Sequence, residues 1–477
     1  MAKVLLVFPA KTKEFTNLYP PLGLSYMASM LKMDGHQVKG IDLRLQSYKK
    51  YKECLLKWKP NWIGISMETV GYDNANLAVN FARKYSSAKI IVGGVHPTLE
   101  PFGVLENENI DVVAVGEAEN TIKDIVAGKP YDKIDGVAYR GKTKNILREK
   151  KNYIENLDTI PFPDRSIFPI NEYIKTNWME FPLPPPVFTV IGGRGCPYQC
   201  TFCAPTLSRI FGKKLRFRSP QNVVDELNFL IKKYKLRSFY LADDLPTCNP
   251  KWIREFCSLM IKNKLHKRLS WSCNTRSNIM TDELAKLLKK AGCIIIYIGV
   301  ESGSQKVLNF YNKGIKPEYS KRTAKVCQRN GLIVLINLMF GAPMETIEDL
   351  EDTYNLFREI NPDMARTSIT SPLPHTYLYE ECKEKDLLCN IKYKDYSNSL
   401  SVQKIKTVTP MRIISEYQHK MARYVPRLDF IFTRPYYTKA VLKWFWGVLI
   451  TGQIFKMLWK APSVYLKFGK MRASLKS

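Results

Sequence analysis

Gly192-Gly193-Arg194-Gly195-Cys196-Pro197-Tyr198-Gln199-Cys200-Thr201-Phe202-Cys203 packs three cysteines into eight residues, directly after a glycine-rich run. Iron–sulfur clusters take their cysteine ligands in tight local spacings of this kind. Three thiolates can hold three corners of a four-iron cluster, which leaves one iron open to bind and reduce a small molecule. The competing readings are a zinc knuckle and three buried thiols. Structural zinc takes four ligands, usually as two separated pairs, and no fourth Cys or His stands close by in the sequence.

Strand and helix signals alternate on both sides of the cysteines. Upstream, apolar runs at 4–8, 38–43, 62–67 and 90–92 are separated by helical patterns at 22–33, through Leu55 and Leu56, and at 77–85. Runs of this length between helices predict βαβ units, hence a doubly wound, Rossmann-like parallel sheet over residues 1–140. Ligands of such sheets bind beyond the carboxyl ends of the strands. Those ends carry Ser66, then Gly93-Gly94-Val95-His96-Pro97, then Gly116-Glu117. Residues 141–186 are proline-rich and read as a linker.

Downstream, candidate strands at 187–191, 238–242, 269–274, 294–300, 332–340 and 364–370 alternate with helical patterns such as 223–234, 282–291 and 319–330. Six βα-type repeats over 187–375 predict a partial (β/α)6 barrel, with its chemistry at the C-terminal strand ends. The cysteines follow the first of these strands and so belong to that face. Residues 376–477 are expected to form a small, mostly helical region.

The chain has 477 residues, 45% of them apolar and 25% charged, which suits two or three globular domains. Eleven scattered cysteines in so long a chain are not a disulfide scaffold, and a reducing cytoplasm fits them best. A net charge of +29 implies an anionic partner: nucleic acid, a membrane surface or a phosphorylated substrate. Walker, HExxH and Ser-His-Asp signatures are absent from the sequence.

The cysteine run, with an aromatic just before the third cysteine, resembles the signature of radical S-adenosylmethionine (SAM) enzymes. Over roughly the first 375 residues the chain resembles cobalamin (B12)-binding radical SAM proteins. Tyr19-Pro20-Pro21-Leu22-Gly23-Leu24, Gly35-His36-Gln37-Val38, Gly93-Gly94-Val95-His96-Pro97-Thr98 and Val115-Gly116-Glu117-Ala118-Glu119 carry the upstream part of that likeness. The resemblance implies three cofactors: a [4Fe-4S] cluster on Cys196, Cys200 and Cys203, SAM on the open iron, and cobalamin on the first domain near Ser66, Gly93, Gly94, His96, Gly116 and Glu117. It further implies a reducing electron donor such as a ferredoxin or flavodoxin. Many B12 domains supply a lower axial histidine from an Asp-x-His-x-x-Gly loop. Here that stretch reads Asp42-Leu43-Arg44-Leu45-Gln46-Ser47. Arginine offers no lone pair, so no histidine ligand is expected from this loop; His96 is a substitute candidate, against its reading as part of a tight turn.

Four strand ends of the second domain resemble the family's SAM contacts. Asp243 and Asp244 stand where the methionine ammonium is held, although such a pair can equally cap a helix. Arg276 could clamp the methionine carboxylate. Glu301 and Ser302 stand near the ribose or a nearby cation, and the backbone at Gly341 near the adenine. The family's chemistry is reductive SAM cleavage to a 5′-deoxyadenosyl radical, hydrogen abstraction at an unactivated carbon, and methyl delivery from cobalamin; some members form or rearrange rings instead.

No acidic residue follows Asp429, and residues 434–477 interleave lysines and arginines with Trp444, Phe445, Trp446, Phe455 and Trp459. The apolar stretch 444–455 is shorter than the ~20 residues a spanning helix needs. Its composition is that of a membrane-interface segment, the alternative being a basic helix packed on the protein's own surface. Single-stranded nucleic acid is a third partner for such a mixture, but the first domain has one Cys54 where tRNA methylthiotransferases carry a second cluster site. The expected function is therefore methylation, or C–C bond or ring formation, on a lipophilic substrate such as an isoprenoid lipid, hopanoid or tetrapyrrole. Modification of tRNA or a peptide, or a purely structural cluster, are the alternatives. The expected location is the cytoplasm, peripheral on the inner face of an anionic membrane.

Overall fold

The computed structural model describes residues 1–9, 18–176, 181–390, 403–423, 430 and 433–451. The first domain is built on β1 (Lys3–Phe8), β2 (Gln37–Asp42), β3 (Trp62–Ser66), β4 (Lys89–Gly93) and β5 (Val112–Ala114), in the parallel order β2-β1-β3-β4-β5. Both faces of the sheet are covered, which is why these strands read as continuous apolar runs. Leu5 and Val7 pack against Ala75, Ala78 and Val79 of the helix Tyr72–Tyr85, while Val4 and Leu6 face Ala28 and Leu31 of the helix Leu22–Met33. The strand order reverses at β1/β3, the topological switch point beyond which such sheets bind ligands.

The sheet runs on past residue 140. β6 (Val137–Arg140) and β7 (Asn145–Arg148) form an antiparallel hairpin on its edge, so the proline-rich linker begins with a strand. The hairpin closes through Gly141, whose N–H donates to the Lys144 carbonyl at 3.0 Å. The rest of that segment is a packed strap. Arg165, 1% exposed, donates to the Thr189 carbonyl at 2.7 Å and pairs with Glu226 at 2.8 Å. Proline density opposes long elements, but not burial of the chain between them.

The second domain holds a six-stranded parallel sheet, β8 (Val187–Val190), β11 (Ser238–Leu241), β12 (Ser270–Thr275), β13 (Cys293–Glu301), β14 (Ile333–Phe340) and β15 (Met364–Ile369), paired in chain order with β8 and β15 at its edges. It is an open barrel. A short antiparallel pair, β9 (Gly193–Arg194) and β10 (Arg216–Phe217), brackets the cysteine run. The period-2 alternation of strands sorts their residues: on β13, Ile296, Ile298 and Val300 face the surrounding helices, while Ile295 and Tyr297 face inward. Those helices start on clear signals. Ser219 caps Pro220–Tyr234 with a proline at its start, and Thr346 with Asp349 forms a capping box for Ile347–Ile360.

The C-terminal region is helical where described, with helices Tyr377–Glu384, Met411–Met421 and Pro435–Ile450. Tyr437 and Ala440 of the last helix join Leu183, Val187, Ile295, Leu335 and Met364 in one core. The helix thus plugs the barrel interior at the end opposite the cysteines. Part of the basic aromatic tail is therefore packed on the protein's own barrel, while the sequence reading for residues 452–477 lies outside the described residues. No described helix is long and apolar enough to cross a membrane.

Candidate functional site

The three cysteines line one cavity of about 230 Å³ at the C-terminal ends of the barrel strands, together with Asp244, Asn274, Arg276, Tyr297, Glu301, Lys313 and Asn337. Ile295, Tyr297 and Gly299 share the inward row of β13, and an irregularity in the pairing between Gly299 and Glu301 ends the strand with the Glu301 carboxylate in the mouth. Cys200 is buried, Cys196 half-buried and Cys203 exposed toward the cavity, and burial holds the Cys196 thiol above its ordinary value. Cluster binding reverses that preference, because coordinating thiols are deprotonated. Among the described residues no three His, Cys, Asp or Glu converge as a single-ion site requires. The donor set suits a cluster, with three soft thiolates in one loop.

The candidates for SAM separate into two groups. Asp244, Arg276 and Glu301 line the cavity, and burial pushes the Asp244 carboxyl up to about 6. Arg276, 6% exposed, lies 3.7 Å from the Tyr198 ring centroid and points Nη1 at the Cys200 sulfur from 3.7 Å. Its Nε is buried without a partner, a donor left over for a ligand. Glu301 takes a positive φ of 63° and pairs with Lys313 Nζ at 2.7 Å, both side chains 9% exposed. A Cβ on Gly299 would stand 2.6 Å from the Glu301 carboxylate and 2.9 Å from Lys313 Nζ, so any side chain there would displace this pair.

Asp243, Ser302 and Gly341 point elsewhere. Asp243 accepts from Gly192 N at 2.6 Å and holds the glycine run that leads into the cluster loop; burial pushes it up to about 7. Ser302 is fully buried, its hydroxyl 3.0 Å from that of Thr353. Gly341 donates its N–H to Glu345 at 2.5 Å and is absent from the cavity lining. These three serve the loops that frame the site. Local sequence could not separate them from Asp244 and Glu301, since every strand end offers polar residues to both the mouth and the helix caps.

In the first domain, Ser66 ends β3 in register with Gly93. Gly94 has φ +122°, and a Cβ there would meet the Met67 carbonyl at 2.7 Å, so the turn after β4 closes only with glycine. His96 is 2% exposed, edge-on to Tyr72, with Nδ1 3.3 Å from Thr69 Oγ1. Burial pushes it down to about 4, so it lies beneath the strand ends as a neutral ring. At the switch point Arg44 binds the Asp42 carboxylate through Nε and Nη2 at 2.9 and 2.5 Å and covers the Phe8 ring at 4.3 Å. The crevice therefore presents a guanidinium where many B12 domains present imidazole, a fit for a corrinoid held by fold and loops alone.

Glu117 and Gly116 have a different task from the one expected. Gly116 N donates to Thr98 Oγ1 at 3.0 Å. Glu117, 3% exposed, accepts from Arg194 at 2.5 Å and from Arg216 at 2.9 Å, while Glu119 takes the other arm of Arg194 at 2.5 Å. Arg194 stands two residues before Cys196. A buried ion cluster thus ties the end of β5 to the root of the cluster loop, and Glu117 is a domain clamp with no free oxygen for a cofactor. Arg194 and Lys313 were the residues that sequence reasoning missed. Arg194 was hidden in its glycine-rich run; Lys313 sits in the turn Asn312-Lys313-Gly314, where the Asn and Gly on either side, turn residues that both adopt positive φ here, were the available signal.

A thiol-lined mouth on an open parallel barrel, tied by buried ion pairs to the end of β5 of a doubly wound domain, defines a cluster enzyme with a second cofactor domain. Residues 190–357 match the family profile of the Radical SAM superfamily, and residues 12–126 that of the B12 binding domain. An uncharacterized methyltransferase of Pyrococcus horikoshii is 32% identical over 86% of this chain and 90% of its own. The anaerobic magnesium-protoporphyrin IX monomethyl ester cyclase of Rubrivivax gelatinosus is 30% identical over 80% of this chain and 70% of its own. The solved radical SAM methyltransferase TsrM of Kitasatospora setae, with tryptophan and a SAM analog, superposes with a TM-score of 0.68 at 18% identity, covering 92% of this chain and 89% of that one. This chain belongs to the B12-binding radical SAM family of methyltransferases and cyclases, and it is an enzyme whose cofactors are the [4Fe-4S] cluster, SAM and cobalamin.

Proposed function

We propose that this enzyme methylates, or forms a C–C bond or ring at, an unactivated carbon of a lipophilic substrate of the isoprenoid-lipid, hopanoid or tetrapyrrole kind, with a ferredoxin or flavodoxin as electron donor. The observation that carries this reading is the cavity wall beside the thiols, where Tyr198, Phe202, Leu207, Leu245 and Tyr297 stand among the polar groups. A flat or greasy substrate finds ring faces there. The tetrapyrrole relative named above supports the same class.

When bound, the cluster, SAM and cobalamin supply radical chemistry and a methyl donor. The chain's own residues bind and orient. Asp244 offers a carboxylate to an ammonium, and Arg276 offers its unpartnered Nε to a carboxylate. The Glu301–Lys313 pair offers Glu301 as an acceptor for hydroxyls, and the aromatic wall excludes water.

Anaerobic reconstitution with a reductant tests the chemistry: production of 5′-deoxyadenosine from SAM is expected, and its absence defeats the proposal. Lipid and tetrapyrrole profiles of a host with and without the gene test the substrate class. A change confined to tRNA nucleosides or to a peptide would replace it.

A further inference from the structure

The helix Pro435–Ile450 is apolar on two sides. Tyr437, Ala440, Gly447 and Val448 are buried toward the barrel. The other side carries Leu442, Phe445, Trp446, Leu449 and Ile450, each between 40% and 61% exposed. Their spacing of i, i+3, i+4, i+7 and i+8 is the stripe that a helix ordinarily buries. Other exposed apolar side chains of the described residues are scattered along the chain, which needs no explanation; this stripe does.

Beside the stripe runs a groove of about 700 Å³ lined by Arg237, Lys267, Arg268, Lys439, Lys443 and Trp446, among other residues, none of them acidic. It lies at the N-terminal ends of the strands, since Arg237 precedes β11 and Ser270 of the same groove begins β12. Burial and the neighbouring Lys439 hold the Lys443 ammonium below its ordinary value, a repulsion that an anion in the groove relieves.

We infer that this end of the barrel is a docking face for an anionic membrane, the stripe entering the lipid interface and the basic groove receiving headgroup phosphates. Lysine and arginine beside Trp, Phe and Leu is the pattern of helices that lie in the interface plane, and the helix has 16 residues against the ~20 needed to span. A second copy of the chain fits worse. Across a two-fold axis the patch would meet itself and set cation against cation. The inference is independent of the substrate proposed above, because it assigns a surface remote from the thiol cavity.

The test is flotation of the full-length protein with phosphatidylcholine vesicles that contain or lack phosphatidylglycerol. Binding is expected only with phosphatidylglycerol and should weaken with added salt. Leu442→Ser with Trp446→Ser should lower binding at least tenfold. Lys439→Gln and Lys443→Gln should each lower it about fivefold, as expected for a cation near an anionic surface. All four side chains lie off the catalytic face, so cofactor loading and SAM cleavage should stay at wild-type level and report correct folding. No flotation, or equal flotation with neutral vesicles, overturns the inference. So does a dimer that the Leu442/Trp446 variant dissolves, or retention by tRNA in place of vesicles.

Discussion

Glu117→Gln removes the charge at the centre of the buried clamp between the two domains. In the wild type this carboxylate accepts from Arg194, from Arg216 and from the backbone N–H of Ile154 at 2.8 Å. The variant keeps one acceptor oxygen but no charge, so Arg194 retains the ion pair with Glu119, and Arg216 retains the Ile154 and Phe211 carbonyls at 2.5 and 2.7 Å. Breaking a buried ion pair by removing one partner costs about 3–5 kcal/mol. The surviving partners place this case near the lower end, at about 3 kcal/mol. Urea unfolding of the ligand-free protein measures it, followed by far-UV circular dichroism and tryptophan fluorescence together, because a two-domain chain need not unfold in one step. The two signals should separate in the variant as the domains uncouple. Glu155→Gln is the control: its pair with Lys214 is 67% and 74% exposed and should change nothing measurable. Equal midpoints for the two variants would refute the clamp. The pH dependence follows the same logic. The guanidinium groups, together with the backbone donor, outweigh burial and hold the Glu117 carboxyl below its ordinary 4.5. Its contribution is present in full above that unfolded value and is lost as pH falls through the lower folded one, so the difference between variant and wild type should begin to shrink below about pH 4.5 and vanish only once the folded value is passed.

Three further outcomes are expected. Cys203→Ala should abolish stable four-iron loading, read as iron and sulfide per chain, and with it reductive SAM cleavage; retention of a full cluster would remove this cysteine from the ligand set. Arg276→Gln should lower the cluster's reduction potential by withdrawing a donor from the Cys200 sulfur, and weaken SAM binding about tenfold, as expected for loss of a charged hydrogen bond; an unchanged potential with weakened binding would leave only the second role. Tyr437→Ala opens a cavity in the core that plugs the barrel, since Tyr437 is 1% exposed, and should cost about 3–5 kcal/mol in thermal unfolding of the barrel; a change under about 1 kcal/mol would show that the last helix is not an integral part of that core.

Much of the fold was legible because parallel strands buried on both faces announce themselves as apolar runs. The predicted stretches 332–340 and 238–242 fall on β14 (Ile333–Phe340) and β11 (Ser238–Leu241), each one residue longer than the strand. The hairpin at β6 and β7 escaped because its strands are four residues each, with charged and polar residues along the outer one, so no apolar run marks them. At the site, the cysteine spacing is a local signal and was readable directly. Separating Asp244 from Asp243, or Glu301 from Ser302, needs the direction of each side chain at a strand end, where the regular alternation breaks into a turn. Glu117 shows the other limit. Its partners are 77 and 99 residues away, and no window of sequence brings Arg194 and Arg216 to it.

The plug at the base of the barrel also governs reach. β13 spans nine residues, which at ~3.3 Å per residue and the tilt of barrel strands puts roughly 20–25 Å between its two ends. If the last helix rests on a bilayer, the reacting mouth stands off by about that height, close to the thickness of the hydrocarbon layer itself. A sterol-like molecule cannot be worked on while it stays in the leaflet. It must be lifted out, delivered by a carrier, or be amphiphilic enough to leave unaided, as a carboxylated macrocycle is. Such anchoring would hold the enzyme at the surface without letting it reach into the membrane for them.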